Sequence, residues 1–350
     1  MAFISKLLSQ NITQEKIIKY SKNQSISRFY EYIAYPDWFK LEMKPIFENH
    51  RKENDGFVFM MVDPSQNNKS IGSIYCELKP KHISKGKQSP IFGWLNADNK
   101  DIAEILLIHV EQFAENHGYT EIRGPINMPK MFGWGAQIAN FDCPRYWETP
   151  HNCPEMPKWI EECGYERDTE YITLGLTNLL KVTNPYPELE IVSYPIEDLF
   201  ANDELMEKLQ RLIERNFSGF LPDISTDKGR FWEMGKILME TGHGQDFYIL
   251  AVNKNTQDLV GFIVEVPNIF EQWSGKKMKS IVVDTVIVDE NYRGSYFFFF
   301  LFNEIYKKLA PKGIYGVVSG LIWSKNIPAM KTFTKIGKQI QKTVVFQKSF

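Results

Sequence analysis

The sequence predicts an α/β protein of two tandem domains, each a mixed sheet with flanking helices. Three observations carry this. The order hairpin, strand, helix, strand occurs twice along the chain. A connection with two prolines and no helical period, Lys181–Glu188 (KVTNPYPE), separates the two runs. A length of 350 residues, 43% apolar and 24% charged, is enough for two medium cores. The boundary is placed near Pro185, giving units 1–184 and 185–350.

In the first half Gly56–Val62 and Ser70–Leu78 read as strands joined by the turn Asp63–Asn68, so a hairpin is the simplest account. After a lysine-rich loop comes a short strand, Phe92–Leu95. Asp101–His117 reads as a helix, started by Asp101 with Glu104 three residues on and stopped at Gly118. Its apolar set Ile102, Ile105, Leu106, Val110 and Phe113 covers one side. Tyr119–Arg123 is a strand, Pro157–Cys163 a short helix and Tyr171–Leu176 the closing strand.

The second half starts with strand Leu189–Tyr194 and helix Asn202–Asn216, then a loop around Pro222 and helix Asp227–Thr241. Phe247–Val252 and Leu259–Val266 form a second hairpin across the polar turn Asn253–Asp258. Lys279–Val288 is rich in β-branched residues and reads as a strand, followed by helix Ser295–Leu309, which Pro311 and Gly313 end. Strand Ile314–Leu321, helix Pro328–Ile336 and strand Lys342–Gln347 complete the pattern. The second sheet is expected to splay between Lys279–Val288 and Ile314–Leu321.

Composition excludes several classes. Forty-one basic against forty-three acidic residues give no general attraction to nucleic acid. No run of 18 apolar residues exists, and the start MAFISKLLSQ lacks a signal-like hydrophobic region. Lys6, Lys16, Lys19 and Lys22 lie on an apolar leader that packs on the domain in the simplest reading. No stable membrane insertion is expected. Cys76, Cys143, Cys153 and Cys163 are few, which fits reduced thiols and a cytoplasmic location. Cys143, His151, Cys153 and Cys163 match no compact zinc spacing, so no metal is expected. Gly-x-Ser-x-Gly, His-Glu-x-x-His and Gly-Lys-Ser/Thr motifs are absent.

The most informative segment is Val288–Ile305, VDENYRGSYFFFFLFNEI. A strand running into Arg293-Gly294 and then a helix can hold pyrophosphate on free amides of the first turn. With Asn326, Ala329, Phe333 and Gly337 in the expected order downstream, it resembles the GNAT acyltransferase superfamily. Phe92-Gly93, Ile122–Asn127, Asn152, Pro154 and Gly164-Tyr165, with Val266–Asn268 and Trp323–Asn326, narrow the resemblance to tandem-GNAT proteins usually called hypothetical N-acetyltransferases. It covers roughly residues 27–348.

The resemblance implies an N-acyltransferase with acetyl-CoA or another acyl-CoA as co-substrate, in which a small-molecule amine or peptide attacks the thioester directly. The alternative is a non-catalytic tandem-GNAT binding protein for a metabolite or peptide; a third reading is a donor other than free CoA, such as an acyl-carrier protein or an aminoacyl-tRNA, of which the charge balance does not favour the tRNA. A homodimer is left open. Val288, Arg293, Gly294, Ser295, Tyr296 and Asn326 become the co-substrate residues. Two later glycines of the family loop fall on Tyr296 and Phe298, and the proline before its arginine on Glu290.

Glu265 and Asp284 are the candidate bases, because a carboxylate in an apolar strand has its pKa raised. The family's acid tyrosine falls on Phe333, leaving Tyr315 as the substitute donor. Asn326 caps the last helix or lines the CoA arm. Phe297, Phe298, Leu301, Phe302 and Ile305 are expected in the core, with Phe299 or Phe300 off that stripe. The polar segment Asn127–Asn152, with Trp134, Arg145, Trp147 and His151, is either a cleft wall or packing between the halves. No nucleotide is expected in the first half, where Leu95–Lys100 lacks the loop motif, and His243 reads as an exposed loop residue.

Overall fold

The computed structural model describes residues 17–177, 181–217, 223–225, 235, 248–294 and 296–350. The expected helix Asp227–Thr241 apart from Gly235, the Pro222 loop, His243, Ser295 and the leader around Lys6 and Lys16 lie outside these residues.

The first half runs β1 (Ile17–Tyr20), α1 (Ser27–Tyr32), α2 (Asp37–Asn54), β2 (Phe57–Asp63), β3 (Lys69–Glu77), β4 (His82–Ser84), β5 (Ile91–Ala97), α3 (Lys100–Glu115), β6 (Glu121–Gly124), β7 (Ala136–Ala139), α4 (Met156–Glu162) and β8 (Glu166–Leu176). The second runs β9 (Leu189–Tyr194), α5 (Ile196–Ala201), α6 (Asp203–Phe217), β10 (Asp223–Ser225), β11 (Tyr248–Asn253), β12 (Leu259–Pro267), α7 (Ile269–Trp273), β13 (Ser280–Val288), α8 (Phe297–Leu309), β14 (Gly316–Ser319), β15 (Ile322–Trp323), α9 (Ile327–Phe333) and β16 (Gly337–Ser349). Both expected hairpins form, β2 with β3 and β11 with β12.

Fourteen of the described strands make one mixed sheet in the order β1-β2-β3-β5-β6-β16-β8-β14-β13-β12-β11-β9, with β7 on β16 and β15 on β8, while β4 and β10 pair with each other apart from it. The two halves exchange strands at the join. β8 from the first half pairs with β14 of the second, and β16, the last strand, lies between β8 and β6. The expected boundary near Pro185 falls on the connection from β8, at the centre of the sheet, to β9 at its far edge.

Among the described strands only β5–β6 and β13–β14 pair in parallel. Each parallel pair parts after a short contact. β13 and β14 stay in register from Ser280↔Gly316 to Val283↔Ser319, and Gly320 N–H still reaches the Val283 carbonyl at 2.7 Å. Beyond Asp284 they separate, which is the expected splay. In the first half only Ile91↔Arg123 pair, and the following segment fills the gap: Asn127 Oδ1 accepts from Trp94 N–H at 2.6 Å. A Cβ on Gly93 would stand 1.9 Å from the Ile126 carbonyl oxygen.

One apolar cluster lies on the α3 face (Phe59, Leu106, Val110, Phe346) and a larger one spans both halves. The start of α3 corrects one expectation: Asn99, not Asp101, is its cap, accepting from Ile102 N–H at 3.1 Å. An Asx side chain must precede the first turn to reach its free amides. A second correction is the strand expected over Ile314–Leu321, which breaks at Gly320: Ile322–Trp323 leaves β13 and pairs with β8.

Candidate active site

The splay between β13 and β14 is the opening in the sheet of the second half. Its vertex is built by a bulge. Val264 pairs with Thr285 and Glu265 with Val283, so Asp284 is the extra residue on β13. An extra residue is left out of the ladder and bends its strand. Asp284 is half-buried and accepts from the Thr285 hydroxyl at 2.8 Å. A Cβ on Gly320 would lie 3.2 Å from its Cα, so glycine allows this close approach.

Asp284 acts across the sheet on Tyr248, the first residue of β11. Burial, and then the Asp284 charge, hold the Tyr248 phenol well above its usual pKa. Its hydroxyl is buried without a hydrogen-bond partner. Sequence reasoning missed Tyr248; a tyrosine opening an apolar strand carries no signal of its own, because the link to Asp284 depends on strand pairing.

Glu265 is placed elsewhere. Gly261 faces Phe297 and Leu301 of α8, at 3.2 Å from an ideal Cβ. Alternation puts Ile263 and Glu265 on the same face. Glu265 is fully buried, neither carboxyl oxygen has a partner, and burial pushes its pKa well above the usual range. Asp284 and Glu265 are therefore not a pair: one bears on the Tyr248 side, the other lies under α8. Tyr315 is not brought to either. It is 64% exposed before β14, its N–H donating to the Lys279 carbonyl at 3.0 Å, at the opposite end of the parallel pair from the splay.

Past Val288 the chain turns through Glu290–Tyr292 into the loop ahead of α8. Gly294 (φ 82°) and Tyr296 (φ 63°) are left-handed, and nothing stands near an added Cβ at Gly294. Tyr296 is exposed at the start of α8, so its ring leaves the backbone side of the turn open. Phe300 N–H is the first helical amide, donating to the Tyr296 carbonyl at 3.2 Å, and the amides before it make the unpaired first turn. Arg293 donates from Nε to the Val288 carbonyl at 3.0 Å and is bonded to Asn216 of α6, which braces the loop. Glu290 is exposed, so it faces solvent.

On the other wall Asn326 caps α9, accepting from Ala329 N–H at 3.1 Å. The phenylalanine run is mostly core, with one correction. Phe297, Phe299, Phe300 and Phe302 are buried, whereas Phe298 is the half-buried ring off the main stripe. It packs on Phe333 of α9 at 5.0 Å, joining the two helices that flank the splay.

The segment Asn127–Asn152 packs between the halves. Asn268 Nδ2 donates to the Arg145 carbonyl at 3.1 Å and Gln341 Nε2 to the Pro150 carbonyl at 3.1 Å. Among the described residues no group of three His, Cys, Asp or Glu side chains could hold a metal. No helix of the described residues is long and apolar enough to cross a membrane.

No family model matches the sequence, and no curated protein matches it. Solved structures do. A tandem GNAT protein from the clavulanic acid biosynthesis pathway, without acetyl-CoA, superposes with a TM-score of 0.62 at 12% identity, covering 95% of this chain and 98% of the other. A GCN5-related N-acetyltransferase from Sphaerobacter thermophilus gives 0.54 at 9% identity over 96% of each chain. A GCN5-related glucosamine N-acetyltransferase region of a fungal multi-domain β-N-acetylglucosaminidase gives 0.60 at 14% identity, with 95% of this chain on 38% of that one. The splayed second sheet, the bulge at its vertex and these superpositions agree: the chain has the tandem GNAT fold over almost its whole length.

Proposed function

We propose that the protein is an acyl-CoA-dependent N-acyltransferase whose reaction takes place at the β13–β14 splay. The observation that carries this reading is the convergence of three features at one end of β13: the opening itself, the bulged Asp284 at its vertex, and the left-handed Gly294–Tyr296 turn leading into α8. The turn's backbone amides, with Gly294 and Tyr296 leaving room, suit a pyrophosphate. Arg293 adds positive charge there, Val288 ends the strand on the same wall, and Asn326 stands at the start of α9 opposite.

Asp284, directly or through a water, takes a proton from the acceptor ammonium. The free amine attacks the thioester carbonyl, the C–S bond breaks, and the nitrogen's second proton goes to the departing thiolate. Phe333 has no proton to give. Tyr248 stays protonated beside the Asp284 charge, while Glu265, buried under α8, takes no part. Calorimetry with acetyl-CoA and longer acyl-CoAs tests the reading. Heat of binding for at least one, with amine-dependent thiol release, is the expected result; no binding by any sinks it.

The Phe298–Phe333 contact favours a second reading, a non-catalytic binding protein, because it joins α8 and α9 beside the path an acyl-CoA arm takes. Under that reading F298A creates no acyl-CoA binding, and small amines or peptides bind without turnover.

A further inference from the structure

We propose that Arg145 is the anchor for a carboxylate on the acceptor, so that the substrate is an amine that also carries an acid group. The inference rests on the N-acyltransferase reading and adds the class of its acceptor.

Arg145 lies in the first-half loop that the second half pins at both ends, through Asn268 on the Arg145 carbonyl and Gln341 on the Pro150 carbonyl. Its guanidinium sits 4.2 Å from the centre of the Tyr35 ring and 4.8 Å from that of Phe39, two rings stacked 4.9 Å apart. Aromatic faces hold a guanidinium in place and leave its N–H edge for a planar anion. No carboxylate among the described residues pairs with it; burial pulls its pKa down, with only Tyr35 acting against this. The neighbouring His151 is pushed down to about 4 by burial and by Arg145, so it brings no charge at neutral pH. A positive group held this way is costly unless an anion joins it.

The surroundings are also short of hydrogen-bond donors. Asn268 Oδ1 and Gln341 Oε1, on the two amides that hold the loop, are buried without partners. So are the hydroxyls of Thr173 and Thr343; Thr173 pairs with Gln341 across the strands, and Thr343 follows two residues on along the same face. Each is a buried acceptor that the described residues leave unmet.

The site is within reach of the reaction centre. Asn268 continues the face of β12 that carries Val264, the residue opposite both Tyr248 and Thr285. Asn268 is four positions beyond Val264, about 13 Å along a strand. An acceptor that joins Asp284 to Arg145 therefore carries its acid group several bonds from its amine.

The test uses β-alanine, γ-aminobutyrate and lysine, each beside the amine that decarboxylation would leave: ethylamine, propylamine and cadaverine. Melting at constant ionic strength reads binding without turnover. At least one amino acid should raise the melting temperature of the wild type more than its decarboxylated partner does, and R145M should lose that difference. The affinity loss should be roughly ten- to a hundred-fold, as for a charge-assisted bond, with partial recovery in R145K. If R145M does not fold, R145K decides, since a lysine keeps the charge but not the planar fork. Equal stabilisation by acid and amine in the wild type, or a difference retained in R145M, overturns the proposal. Selective acid binding with no turnover on acetyl-CoA would leave this inference standing and sink the transferase reading instead.

Discussion

Replacing Glu265 by glutamine should change how stability depends on pH while leaving the shape of the protein alone. In the native state the carboxyl is fully buried with both oxygens unpartnered, and its pKa is raised by burial alone. A raised native pKa means that the unfolded chain loses the proton first as pH rises. The acid's contribution is therefore fully present below its ordinary value of 4.5 and is lost as pH climbs towards the native pKa. Within that window the loss is about 1.4 kcal/mol for each pH unit. Glutamine has the same shape as the neutral acid and no such titration. Urea unfolding of wild type and E265Q at pH 5, 6 and 7 should show curves that nearly coincide at the lowest pH and diverge in favour of E265Q by about 1.4 kcal/mol per unit. A stability gap that stays constant to within about 0.5 kcal/mol across that range would refute the burial argument.

D284N should leave acetyl-CoA affinity nearly unchanged by calorimetry and lower turnover by roughly 10²–10⁴. Y296G should raise stability by about 0.5–1 kcal/mol in thermal melts, because Tyr296 holds a left-handed φ of 63° without a side-chain cap, and should not weaken acyl-CoA binding. G93A should cost more than about 3 kcal/mol or prevent folding, measured by soluble yield and melting, since the added methyl meets backbone oxygen. F298A should shift acyl-CoA preference towards longer chains in a competition assay, because it removes the ring that meets Phe333.

The local elements were legible in the sequence because each carries its own period: alternation in β2, β3, β11 and β12, a helical stripe in α3, and Gly118 and Gly313 as stops. Partners across the sheet were not. Nothing in Lys342–Gln347 says that this strand lies between β6 and β8, since alternation names a face and not a neighbour. The same limit explains the site. Asp284 and Glu265 look alike in apolar strands, and only the bulge and the position of α8 distinguish them. Tyr248 acquires meaning only from pairing, and Tyr315 loses it for the same reason. The four phenylalanines fixed a buried helix, but which ring left the stripe depended on where α9 docks.

The position of β16 also governs the order in which the protein can be completed. Every other described strand leaves the ribosome before it, yet β6 and β8 meet only through it. Until it arrives, the growing chain presents two facing strand edges with unsatisfied amides and carbonyls. A chaperone or an early ligand that covered those edges would raise the yield of folded protein, and a nascent chain stalled before Gly337 would be a template for pairing with its neighbours. Cutting the gene near Pro185 would likewise give two fragments that recover native structure only when present together.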